Sequence, residues 1–171
     1  MEPQADPAIP TPFVHDGMTV RPEWIDYNRH MNIAYYVLVF DQALDHAFPA
    51  MGFEPERLRP IHGSTFTAEL HVTYQRELHL GDPLRVTTQL LDFDDKRCHF
   101  LQCLHHAGEG YLAATQEWLM LFVDLERRRV AAMPDWLQRR LGEVRAAHAG
   151  LALPPVAGRA IGLGNRRLAT G

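Results

Sequence analysis

One helical stripe followed by a long run of strand-like alternation limits what this chain can fold into more than any other feature. Over residues 33–48, Val37, Phe40, Leu44 and Phe48, joined by Ala34, Leu38 and Ala47, recur at spacings of three and four. That is the pattern of a helix with one apolar face. Asn32 suits its N-cap, and Pro49 and Gly52 mark its end. From Ser64 the period changes to two. Phe66, Ala68, Leu70, Val72 and Tyr74 share one face of a predicted strand; Thr65, Thr67, Glu69, His71, Thr73 and Gln75 share the other. Gly81-Asp82-Pro83 breaks that strand, and Leu84, Val86, Thr88 and Leu90 begin the next. Asp94-Asp95 and Gly108-Glu109-Gly110 separate two more, over 97–106 and 111–124. With a first strand at 13–21, bent near Gly17, the order is strand, helix, four strands. Tight turns between the four predict an antiparallel meander. One helix cannot cover both faces of a five-stranded sheet. The expected fold is therefore α+β: an antiparallel five-stranded sheet wrapped around one long central helix.

Residues 1–12 read as a flexible lead-in, because Pro3, Pro7, Pro10 and Pro12 exclude regular structure. Residues 13–135 form the expected domain, and 136–171 a C-terminal helix and tail. The helical pattern there spans 135–147, and the chain beyond Gly150 is rich in Gly, Pro and Arg. Residues 53–63 read as a loop around Pro55, Pro60 and Gly63. A chain of 171 residues buries roughly two thirds of its unfolded surface and needs no disulfide or metal staple.

Charge and cysteine usage narrow the class. A formal charge of -4 argues against nucleic acid as partner, which calls for a basic surplus. Lys96 is the only lysine; the other cations are arginines, which grip phosphates well. Cys98 and Cys103 lie five apart on one predicted strand and point to opposite faces, so a bridge between them is not expected. Free cysteines suit a reducing compartment. No apolar run approaches the ~18 to 20 residues of a membrane span, and the polar N-terminus lacks a signal-peptide pattern. A cytoplasmic location, without membrane contact, is the expectation.

The chemistry concentrates in Asp26-Tyr27-Asn28-Arg29-His30-Met31-Asn32, just ahead of the predicted helix. A helix N-terminus carries unpaired N–H groups and positive partial charge, which can hold a developing oxyanion. The amides of Ile33 and Ala34 are the candidates. Asp26 can act as nucleophile or as general base for water. Asn28 can orient a carbonyl or a water, and His30 can relay a proton near neutral pH. Asx residues in such a place also serve simply as turns and caps, and that is the expected role of Asn32.

The stretch VRPEWIDYNRHMNIAYY (residues 20–36) resembles hotdog-fold thioesterases of the 4-hydroxybenzoyl-CoA type. Those enzymes place an aspartate four residues before the histidine of a His-x-Asn pair, with a Tyr following. Asp26, His30, Asn32 and Tyr35 or Tyr36 match. The Asp-x-Asn-x-His form is also similar to plant acyl-carrier-protein thioesterases. The resemblance implies that Asp26, Asn28 and His30 are catalytic. Residues 74–84 look like the family's second strand and Gly-Asp turn, and the likeness runs over about 14–130. One departure is Arg29, where the family usually has Gly. EWIDYNRHMN and LLDFDDKRCHF are similar to bacterial betainyl-CoA thioesterases of carnitine breakdown. A trimethylammonium group is best held by aromatic faces. Trp24, Tyr36, Phe66, Tyr74 and Trp118 can contribute, and Tyr36, Phe66 and Trp118 are the expected substrate contacts. The resemblance further implies an acyl-CoA substrate, no cofactor, and a homodimer or homotetramer.

Other features carry less. His105 and His106 are adjacent and point apart, so no metal site is expected. Glu69 and Thr65, on the polar strand face, are weaker candidates to assist water. Gly158 to Gly164 lacks the strand and helix of a phosphate loop. Arg127, Arg128 and Arg129 read as a solvated turn or a phosphate contact. Two rivals to acyl-CoA hydrolysis remain at this point: a hotdog enoyl-CoA hydratase or dehydratase, and an acyl-CoA binding module without turnover.

Overall fold

The stripe folds as α1, Ile33–Met51, in a computed structural model that describes residues 8–162. Residues 1–7 of the expected lead-in and 163–171 of the expected tail lie outside the described residues. Asn32 caps α1 by accepting the Ala34 N–H at 3.0 Å. The buried face runs through Tyr36, Val39, Phe40, Ala43, Leu44, Ala47 and Met51, so the stripe is turned slightly from the expected one, and Val37 and Phe48 sit at its margin. The helix also passes Pro49, where an end was expected. Proline there forfeits one hydrogen bond in the last turn, while full burial of Met51 holds that turn in place. Gly52, at φ 93°, then closes it, its N–H reaching the carbonyls of Phe48 and Pro49.

The strands are β1 (Phe13–Thr19), β2 (Gly63–Tyr74), β3 (Pro83–Phe93), β4 (Arg97–His106), β5 (Leu112–Asp124) and the two-residue β6 (Arg129–Val130). The sheet order is β1-β3-β4-β5-β2, with β6 on β5. The expected meander therefore holds for β3, β4 and β5 only. β2 crosses over and pairs antiparallel with β5. The reason lies in the β2–β3 connection, which is no tight hairpin. Its Leu78 is fully buried, and the Leu78 carbonyl accepts the Met31 N–H at 2.7 Å. The predicted loop 53–63 holds a short helix, α2 (Pro55–Leu58), and one 3-10 turn, Arg59–Ile61.

The inner face of the sheet packs on α1 through Leu84, Val86 and Leu90 of β3, Phe100 and Leu104 of β4, and Met120 and Phe122 of β5. α3 (Asp135–His148) adds Leu137, Leu141 and Val144 to the core. In β2 the register shifts between Thr67 and Glu69, which overturns the simple alternation. Tyr74, Val72 and Leu70 stand opposite Ala114, Gln116 and Trp118 and share the inner face. Phe66, beyond the bulge, stands opposite Leu121 on the outer face. The outer face also meets the chain near Gly158, whose N–H donates to Glu117 Oε1 at 2.6 Å, while His99 Nε2 lies 2.9 Å from Glu117 Oε2.

Candidate active site

The segment before α1 folds into a closed loop. Ile25 and Met31 form an antiparallel bridge. Inside it the Asp26 N–H donates to the His30 carbonyl (3.1 Å) and the Arg29 N–H to the Asp26 carbonyl (3.0 Å). The turn requires a left-handed residue, and Arg29 supplies it at φ 67°. Two further bonds fix the base: Asn32 N–H to the Trp24 carbonyl (2.9 Å), and Met31 N–H to Leu78. Trp24 is buried and stacks on Tyr35, with centroids 5.6 Å apart.

That loop sets the Asp26 carboxylate. Its Oδ1 accepts the Asn28 N–H at 2.8 Å, which ties one oxygen down. Its Oδ2 lies 3.9 Å from His30 Nδ1, and the two side chains are 13% and 27% exposed. They are shielded but reachable from solvent. His30 Nδ1 also lies 3.3 Å from the Met31 carbonyl. The Ile33 N–H, at the first helical position, has no intrahelical acceptor. The Ala34 N–H, in contrast, is occupied by Asn32.

Beside this loop a groove of about 210 Å³ opens between α1 and the end of β2. His30, Ile33 and Tyr36 form one bank; Tyr74, Arg76 and Glu77 form the other. Tyr36 and Tyr74 meet edge to face at 5.1 Å and 90°, and the Tyr74 hydroxyl donates to the Ile33 carbonyl at 3.3 Å. Burial pushes the Tyr36 phenol up to about 12 and raises Tyr74 too, so both stay neutral at physiological pH. The Arg76 guanidinium lies over the Tyr111 ring at 3.7 Å, and the Tyr111 hydroxyl donates to the Glu77 carbonyl at 3.0 Å. The arrangement places a carboxylate, an imidazole and a helix N-terminus at the mouth of one aromatic groove. Those parts can activate a water and hold an oxyanion.

The structure brings together some of the residues singled out in the sequence and separates others. His30, Ile33 and Tyr36 share the groove, and Asp26 stands behind His30. The Asn28 side chain is exposed, and the contact it makes to Asp26 is through its backbone. Ala34 has its amide taken by the cap. Trp118 is buried on the inner face of β5, opposite Leu70 of β2. Phe66 lies apart, lining an outer-face depression with Leu121, Arg128 and Val130. Glu69 is on the outer face as well. Arg76 and Glu77 were not singled out by sequence reasoning. They follow the last residue of an alternating strand, and only the crossing of β2 brings them to α1. Among the described residues no three His, Cys, Asp or Glu side chains are placed to hold a metal. Burial pushes Cys98 up to about 12 and Cys103 up to about 11, which makes both poor nucleophiles.

Comparison with known proteins identifies the family. Residues 20–141 match the thioesterase-like superfamily. A betainyl-CoA thioesterase of Pseudomonas aeruginosa is 36% identical over 144 residues, covering 84% of this chain and 91% of that protein. An L-carnitine dehydrogenase/betainyl-CoA thioesterase of Rhizobium meliloti is 34% identical over 143 residues, covering 84% of this chain and 29% of that longer protein. A Staphylococcus aureus protein solved in complex with CoA superposes with a TM-score of 0.83 at 30% identity, covering 93% of this chain and 99% of that one. With a family match across most of its length, an antiparallel sheet curled on one long helix, and relatives that are thioesterases, the chain belongs to the thioesterase-like superfamily as a hotdog-fold acyl-CoA thioesterase.

Proposed function

We propose that the acyl group is small and cationic, with betainyl-CoA the leading substrate, and that Asp26 acts as the general base. The observation that carries the reading is the groove itself. It starts at His30, with Asp26 3.9 Å behind it, and is walled by the Tyr36–Tyr74 pair, with Glu77 at its rim. In betainyl-CoA a single methylene separates the trimethylammonium from the thioester carbonyl. A substrate whose carbonyl lies by His30 and Ile33 therefore has its cation at the aromatic walls. The relatives that act on betainyl-CoA point the same way.

In the proposed step a water attacks the carbonyl carbon as Asp26 Oδ2 takes its proton. The carbonyl electrons move to oxygen, held by the Ile33 N–H at the positive end of α1. The oxyanion pair then re-forms the carbonyl as the carbon–sulfur bond breaks, CoA leaves as the thiolate with the bonding pair, and the proton held by Asp26 passes to solvent. His30 steadies the Asp26 carboxylate through the 3.9 Å approach. No cofactor enters. We further propose a cytoplasmic enzyme, in keeping with its two free cysteines. We also propose a homodimer in which two β2 strands meet. β2 ends the sheet and exposes Phe66, Leu70 and Tyr74. Long apolar edges of this kind seek a partner.

Thiol release from acetyl-, butyryl-, betainyl- and 3,3-dimethylbutanoyl-CoA tests the substrate. The last has the shape of the betainyl group with a neutral carbon in place of nitrogen. We expect betainyl-CoA to be favoured over it by about tenfold in kcat/KM, near the upper range of a cation held by aromatic faces. Equal rates for the two would rule out a cationic acyl group. Consumption of an enoyl-CoA without thiol release would favour a hydratase, and binding without release an acyl-CoA binding module.

A further inference from the structure

The inner face of the sheet holds an unusual polar patch beneath α1. Gln102 and Gln116 are fully buried and stand directly opposite each other on β4 and β5. The Gln102 amide nitrogen donates to the Phe40 carbonyl (2.9 Å) and to Thr88 Oγ1 (3.0 Å). Its oxygen, both amide atoms of Gln116, and the indole nitrogen of Trp118 are buried without a partner among the described residues. Buried polar groups are nearly always paired, and a cluster left open needs a reason.

The patch lies on the same face as the groove. Tyr74, a groove wall, stands opposite Ala114; the next inner-face pairs along the strands are Val72 with Gln116 and Leu70 with Trp118. Two residues along a strand cover roughly 6.6 Å, so the Gln116 position is one short step inward from the aromatic walls. On the β2 side, half-buried Val72 stands over Gln116, between Tyr74 at 47% exposed and Leu70 at 37%. Gln116 can turn its N–H toward the Gln102 oxygen across the strand pair, since directly opposed side chains lie within reach. That turn leaves the Gln116 oxygen as an open acceptor next to the inner end of the aromatic walls.

We infer that Gln116, with Gln102 and Trp118, forms a polar floor that selects the acyl group. It favours a short acyl group with a charged or hydrogen-bonding end over an alkyl group of the same shape. An alkyl end meets amide and indole groups it cannot pair, or displaces ordered water that pairs them; a cation is held by acceptor oxygens, that of Gln116 and those of water bound to the N–H groups. This inference rests on the reading of the groove as the acyl site of a thioesterase.

The test uses two CoA thioethers that cannot be hydrolysed, with a methylene inserted between the carbonyl and the sulfur. One ends in trimethylammonium and the other in tert-butyl. Their Kd values are measured by calorimetry on the native protein, Gln116→Leu and Trp118→Phe. We expect the native protein to prefer the cation by about tenfold or more, a discrimination within the range of a single polar contact in a closed site. Gln116→Leu, close in size and free of the amide, should keep the fold and cut the preference below about threefold, mainly by tighter tert-butyl binding. Trp118→Phe, which removes the indole N–H, should move the ratio the same way by less. No preference in the native protein would overturn the inference, as would an unchanged ratio in both variants. Failure of the thioesterase reading shows separately, as analogue binding without thiol release from the matching thioesters.

Discussion

Arg29 takes a left-handed backbone conformation at the position where the family pattern has glycine. Only glycine adopts that conformation freely, so Arg29 is held there by the two turn bonds around it and by the bridge at its base. His148 shows a different kind of constraint. It is fully buried, and its Nδ1 accepts the Leu90 N–H at 3.0 Å. Its Nε2 must then carry the proton, donated to the Pro10 carbonyl at 3.0 Å. A proton on Nδ1 would face the Leu90 donor. Burial lowers the His148 pKa from 6.5, and the Pro10 contact opposes it in part. Burial lowers His15 and His105 as well. The unfolded chain therefore takes up protons below about pH 6.5 that the folded chain refuses. Stability is fully present above that pH and falls as pH drops through it, with a ceiling of about 1.4 kcal/mol per pH unit for one fully buried group such as His148. Urea unfolding from pH 7.5 to 5.0 should show this slope, and His148→Gln should reduce it. An unchanged slope in the variant would show that His148 does not set the pH dependence.

At the scale of elements, local signals were legible and crossings were not. α1 follows from spacings of three and four, and Asn32 as its cap follows from its place. Asp26 and His30 meet because four residues and one turn separate them. β2 was legible as a strand, but its partner was not, because nothing in its own residues distinguishes β5 from β3. The bulge after Thr67 moved Phe66 to the outer face, since one extra residue reverses every side chain beyond it. Tyr36 and Tyr74 meet across 38 positions of sequence for the same non-local reason. β2 also carries a prediction. Its free edge and exposed apolar residues lead us to expect a solution mass of twice the 19.5 kDa chain by light scattering. A mass of one chain at working concentration would contradict the edge-to-edge dimer.

On the scale of the whole molecule, the fold acts by joining two distant segments. The loop before α1 brings a carboxylate, an imidazole and a helix N-terminus. The end of β2 and the connection after it bring Tyr74, Arg76 and Glu77, and Leu78 sews that connection to Met31. On the inner face of the sheet Gln102, Gln116 and Trp118 lie buried a short step further in. On the proposed reading this junction performs the hydrolysis, with Asp26 as its base. Thiol release from betainyl-CoA by the native protein and by Asp26→Asn tests it most directly, with circular dichroism and Tm confirming that the variant folds. A fall in kcat of about 100-fold or more is expected, the range for removing a positioned base. A folded Asp26→Asn protein that releases thiol at the native rate would contradict it and place the chemistry elsewhere.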